Sequence, residues 1–87
     1  MFVVELAFGG NPERLAARPA HRERLQRLHE SGILRLAGPF ADDSGALLIF
    51  DVPDEPALEG ILADDPYYAT PGVTVVRRQQ WSLLVGA

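Results

Sequence analysis

Two histidines, two Asp-Asp pairs and a run of arginines are the side chains of this 87-residue sequence with the means to do chemistry. His21 follows Arg18-Pro19-Ala20, and steps of four and three residues lead from it to Leu25 and Leu28. On a helix those steps share a face, so an imidazole at position 21 turns inward with two leucines. Burial disfavours imidazolium, as does the positive end of a helix, and both leave a neutral ring able to accept a proton. A carboxylate on one ring nitrogen pulls the other way and fixes the tautomer. Asp42-Asp43 and Asp64-Asp65 are the candidates for that carboxylate. The structural alternative is a half-buried histidine satisfied by a main-chain carbonyl, and the residues alone do not choose between the two.

The remaining polar side chains divide in the same way. Arg18, three residues before His21, could hold an anionic substrate group or be a solvated arginine. Tyr67 and Tyr68 could line a pocket or pack in a core or interface. Asp64 and Asp65 precede Pro66, where they also serve as helix-ending and turn residues. His29 falls in the last turn of the same helix, complements its dipole and reads as structural. The absence of cysteine excludes disulfides, thiolate metal sites and thiol nucleophiles. Two histidines without an H-x-x-x-H or H-E-x-x-H spacing argue against a metal. No phosphate-cradling glycine loop or nucleophile elbow is present, so no cofactor is expected.

The elements that must carry these residues follow from pattern. Phe2–Phe8 is β-branched and aromatic and ends at Gly9-Gly10, a strand and its breaker. Asn11-Pro12 caps a short first turn over 13–17. Arg18-Pro19 interrupts it, because the residue before proline leaves the α region, and the main helix then runs from Pro19 to Ser31 with Gly32 just beyond. Strands are expected over 33–38 and 45–52, joined by the turn residues of FADDSG. Asp54 caps a helix reaching about Ala63, and 73–85 begins as a strand long enough to continue as an arm. The result is one α+β domain over 1–87, in the ferredoxin-like βαββαβ order, with a four-stranded antiparallel sheet and two helices on one face. That topology brings His21, Asp42/Asp43 and Asp64/Asp65 to one end of the domain.

Strict alternation puts Phe2, Val4, Leu6 and Phe8 beneath the helices with Leu34, Leu36, Leu48, Phe50 and Val52. The opposite face mixes Val3, Ala7, Leu47, Ile49 and Val75 with Glu5, Arg35, Asp51 and Arg77. A chain this short has little core, so that face is expected to dock on a second copy, burying above ~1,000 Å² in total. The net charge of −4, and acidic residues interleaved with the arginines of 14–27, argue against nucleic acid as a partner. Glu5 breaks the first apolar run, and no stretch approaches a membrane span. A soluble, cytoplasmic homodimer is the expectation.

Arg18-Pro19-Ala20-His21, Leu25, Leu28, Gly32, Ala37-Gly38-Pro39, Asp43 before Gly45, Asp65-Pro66-Tyr67 and the closing Val-x-Val with Trp81 together resemble the YciI-like (YCII-related) domain family. The resemblance covers essentially the whole chain. It implies a ferredoxin-like fold dimerising through its sheets, within the dimeric α/β-barrel group, and a His/Asp site with His21 matching the family histidine. Asp65 and Asp43 both match positions typical of the family; Asp65 is preferred here because Pro66 pins its backbone. Chemistry known in the family and its relatives includes dehydrochlorination of a hydroxylated aromatic, and barrel relatives include lactone isomerases and small monooxygenases. The 39–45 loop is more compact than in some members.

The function expected is a cofactor-free lyase- or isomerase-type enzyme acting on a small polar or aromatic metabolite. His21 is its general base, an aspartate orients the ring, Arg18 binds a substrate anion and Tyr67 contacts substrate. The alternative is a non-catalytic ligand-binding or accessory dimer in which His21 is a polar core residue.

Overall fold

The computed structural model describes residues 1–86. In chain order it contains β1 (Phe2–Phe8), α1 (Pro12–Glu30), β2 (Leu34–Pro39), β3 (Gly45–Phe50), α2 (Glu55–Ala63), a single 3-10 turn (Pro66–Ala69) and β4 (Val73–Gln80). The strands form one sheet in the order β2-β3-β1-β4, every neighbouring pair antiparallel. This is the βαββαβ arrangement expected from the pattern. Phe2, Val4, Leu6, Leu34, Leu48 and Phe50 form the core side of the sheet, closed by Leu58 and Leu62 of α2 and by Ala17, Leu25 and Leu28 of α1.

The helix ends follow local chemistry. Asp54 accepts the Ala57 N–H at 3.0 Å, satisfying one of the orphan donors at the start of α2. At the end of α1, Gly32 takes φ +84°. Its N–H donates to the His29 carbonyl and that of Ile33 to the Leu28 carbonyl, both at 3.0 Å. Gly45 has a different role. A Cβ there would collide with the Leu6 carbonyl, so the absence of a side chain lets β3 lie close to β1 below the helix start.

The expected break at Pro19 is absent. α1 is continuous for 19 residues with Pro19 inside it, and His21 therefore lies near mid-helix rather than at an N-terminus. Proline removes the bond to the carbonyl four residues earlier, that of Leu15. Leu15, Ala16, Pro19 and Ala20 all lie on the exposed side, where water can serve a carbonyl that has lost its partner. Packing of the opposite side holds the helix together across the gap. With no helix N-terminus at His21, the helix dipole does not keep its ring neutral.

Two side chains occupy the face opposite to the one alternation gives them. Leu36 was expected in the core and is 70% exposed. The β2–β3 register slips between Leu34 and Leu36, so Leu36 pairs with Ile49 on the open face. Val75, expected on the open face, pairs with Leu6 and packs on the core, because β4 slips against β1 between Glu5 and Leu6. A one-residue bulge exchanges the faces of everything beyond it, and strict alternation holds only along an unbroken strand. Of 73–85, expected to begin as a strand and continue as an arm, the strand ends at Gln80; Trp81 N–H still reaches the Met1 carbonyl at 2.7 Å.

Replacing Pro19 with alanine restores the missing donor on an exposed face. Pro19→Ala is expected to raise unfolding free energy by about 1–3 kcal/mol, after allowing for the greater freedom of its unfolded chain. Urea denaturation followed by circular dichroism measures it, and an unchanged or lower midpoint contradicts the account.

Candidate active site

His21 Nδ1 lies 2.7 Å from Asp65 Oδ2, and both side chains are buried. The short segment Asp65-Pro66-Tyr67 builds most of this arrangement. Asp65 is the cap of the 3-10 turn, and its Oδ1 accepts the Tyr67 N–H at 3.0 Å. Pro66 fills the first position of the turn, where a missing N–H leaves nothing unsatisfied. Tyr67 then lays its ring flat on the imidazole, with centroids 3.9 Å apart and planes 8° from parallel. Tyr68 meets the same imidazole edge-on at 5.3 Å. Two rings and one carboxylate thus fix the plane and rotation of His21.

With both Asp65 oxygens accepting, Nδ1 carries the ring proton and Nε2 holds the lone pair. Nε2 has no protein partner among the described residues. Burial pulls the His21 pKa below its ordinary 6.5, more strongly than the bond and charge of Asp65 raise it; Arg22 adds to the lowering. The ring is therefore neutral at pH 7 and free to act as a base. The Tyr68 phenol, buried and near the Asp65 charge, is pushed well above the usual phenol range and stays protonated.

His21 stands on the wall of a cavity of about 670 Å³ between α1 and the sheet. Tyr67, Leu6, Phe8 and Leu48 give it an apolar floor, and Arg14 and Arg18 line its other side. Arg18 is half-buried and has no ion-pair partner among the described residues. The two aspartates proposed for His21 separate here. Asp65 bonds the ring, whereas Asp43, in a left-handed turn position at φ +58°, pairs with Arg14 at 3.3 Å. Of the other pair members, Asp42 accepts the Ser44 N–H at 3.0 Å and exposed Asp64 pairs with Arg24. His29 Nδ1 donates to the Leu34 carbonyl at 2.9 Å, a structural bond.

Arg14 is the residue that the sequence reading missed. Grouped there with the other arginines of 14–27, it is 6% exposed and lies with its guanidinium carbon 4.3 Å from the centre of the Phe8 ring. The signal was present in the spacing: positions 14, 18, 21, 25 and 28 form one stripe, and seven residues place Arg14 on the face of His21. Among the described residues, no three His, Asp or Glu side chains gather as metal ligands would. No helix among them is long and apolar enough to cross a membrane.

Because Asp65 raises the His21 pKa, Asp65→Asn should lower it further while keeping the shape of the pair. Histidine ¹⁵N chemical shifts across a pH titration read this directly, with wild-type His21 titrating below 6.5. A base whose folded pKa is depressed stabilises the fold above its unfolded value and loses that stability as pH falls from about 6.5 through the folded pKa. His21→Gln should flatten the stability profile in that window. A His21 that titrates above 6.5, or rises in Asp65→Asn, contradicts the geometry.

No curated protein matches the chain. A family model described as the YCII-related domain matches residues 1–82. With all but the last few of its 87 residues covered, the chain belongs to the YCII-related domain family.

Proposed function

We propose that the protein is a cofactor-free lyase or isomerase that removes a proton from a carbon next to a carbonyl or phenolic group of a small polar or aromatic metabolite. The observation that carries this reading is a neutral histidine on a cavity wall, held through Nδ1 by a buried carboxylate and unpartnered at Nε2. Nε2 takes the proton, and Asp65 stabilises the imidazolium as it forms. The C–H electron pair then forms a new double bond. In a lyase it expels a leaving group such as chloride from the adjacent carbon; in an isomerase His21 returns the proton elsewhere on the same skeleton. Tyr67 supports the substrate's apolar body, and Arg18 attracts its negative charge.

The reading includes a cytoplasmic homodimer formed through the open face of the sheet. Leu36, Leu47 and Val76 are exposed on or beside that face. They supply the apolar area that a stable interface of more than ~1,000 Å² requires.

Incubation in D₂O with a panel of 2-oxo acids, hydroxyaryl compounds and β-chloro carbonyl compounds, followed by NMR, tests the chemistry. Deuterium incorporation or elimination is expected for at least one class, with a rate that rises with pH through the His21 pKa. His21→Gln should slow it by about 10²–10⁴. No exchange across the panel, or full activity in His21→Gln, overturns the reading. Light scattering coupled to gel filtration tests association: the wild type should run as a dimer and Leu47→Arg as a monomer, and a monomeric wild type removes the dimer from the proposal.

A further inference from the structure

At the far end of the cavity from Asp65, the buried guanidinium of Arg14 is only partly satisfied. Its Nε donates to the Gly9 carbonyl and its Nη2 to Asp43 Oδ2, both at 3.3 Å, while buried Nη1 has no partner. Charge-assisted N–H···O bonds are ordinarily about 2.7–2.9 Å, so the hold of Asp43 is loose. The Asp43 side chain is also 51% exposed, and turning it into water gives up little. An arginine this buried with a donor left over is an exception that asks for a missing acceptor.

We infer that the Arg14 end of the cavity is a carboxylate subsite, in which a substrate carboxylate displaces Asp43 and takes both Nη1 and Nη2. This rests on the proton-abstraction reading of the site and gives it a substrate class. Asp43 is then a resident counter-ion and not a partner of His21. The fork of Nη1 and Nη2 suits a planar monoanion with two parallel bonds. Phe8 under the guanidinium holds its plane. Arg18, one turn along the same stripe, adds positive charge between Arg14 and His21. Seven residues of helix separate Arg14 from His21, roughly 10 Å along the axis. The substrate is therefore an elongated acid, its carboxylate about two helical turns from the carbon that loses the proton and its apolar middle over Leu6, Leu48 and Tyr67.

Calorimetry and the side-chain Nε–Hε NMR signals of the full chain test this, with 4-phenylbutyrate, its neutral amide and inorganic phosphate as probes. The carboxylate should shift the Arg14 signal and bind about tenfold more tightly than the amide, as expected for a charged hydrogen-bond pair. Arg14→Gln should abolish that preference. Should Arg14→Gln fail to fold, Asp43→Asn decides: asparagine accepts the left-handed turn, and loss of the competing charge should tighten carboxylate binding severalfold while leaving the amide unchanged. Equal affinities for acid and amide, weaker binding in Asp43→Asn, a response to phosphate alone, or no shift at Arg14 with any probe overturns the subsite. The acid-over-amide preference is read in the wild type, without turnover. Binding thus reports the subsite, and exchange in D₂O reports the base.

Discussion

The bond between His21 Nδ1 and Asp65 Oδ2 governs how the helices, the 3-10 turn and the cavity fit together. An imidazole and a carboxylate withdrawn from water are tolerated only when each finds partners; leaving one unsatisfied costs about 1–3 kcal/mol or more. Asp65 meets that demand with the Tyr67 N–H on one oxygen and the ring on the other. The connection after α2 must therefore pass directly beneath α1, and its turn must be tight enough to return its own N–H to Asp65. Tyr67, brought in by the same turn, covers the ring that its neighbour has bonded. Three consecutive residues set position, tautomer and packing of one histidine.

The inward stripe of α1 shows what is given up for this. A helix in so small a domain would ordinarily present leucine to the sheet at each inward position. Here Arg14 and His21 are its buried residues, and Leu25 and Leu28 complete the stripe toward the C-terminal end. The apolar core is accordingly gathered under α2 and along β1 and β3, with the cavity lying where α1 would otherwise have filled space. Polar side chains and apolar packing compete along a single helix face, and the N-terminal half of α1 carries the polar ones.

Much of this was legible in the sequence because it depends on local chemistry. Asp54, Gly32 and the breaker at Gly9-Gly10 mark element ends through backbone demands that few residues meet. The steps from His21 to Leu25 and Leu28 gave its inward direction, and Pro66 identified Asp65 as the better-anchored carboxylate. What escaped depends on tertiary context. The slips in β2 and β4 answer to pairing with neighbours, which no single strand encodes, and they moved Leu36 and Val75 across the sheet. Pro19 is tolerated because its side of the helix faces water, a fact that becomes visible only once the other side is packed. Arg14 was lost among chemically identical arginines, since burial separates it from Arg22 and Arg27 and composition does not.

Pro19 has a further consequence for how α1 moves. It leaves the hydrogen-bond ladder one rung short, from Leu15 to Pro19, between the turn bearing Arg14 and the turn bearing His21. Unwinding the first two turns breaks one bond fewer than in an uninterrupted helix, while the remainder stays anchored by Leu25, Leu28 and the Asp65 contact. The helix is thus divided into two units of unequal local stability. Local openings of residues 14–18 therefore cost less than those of 23–28. The Arg14 end of the cavity can loosen while the histidine and its carboxylate remain in register.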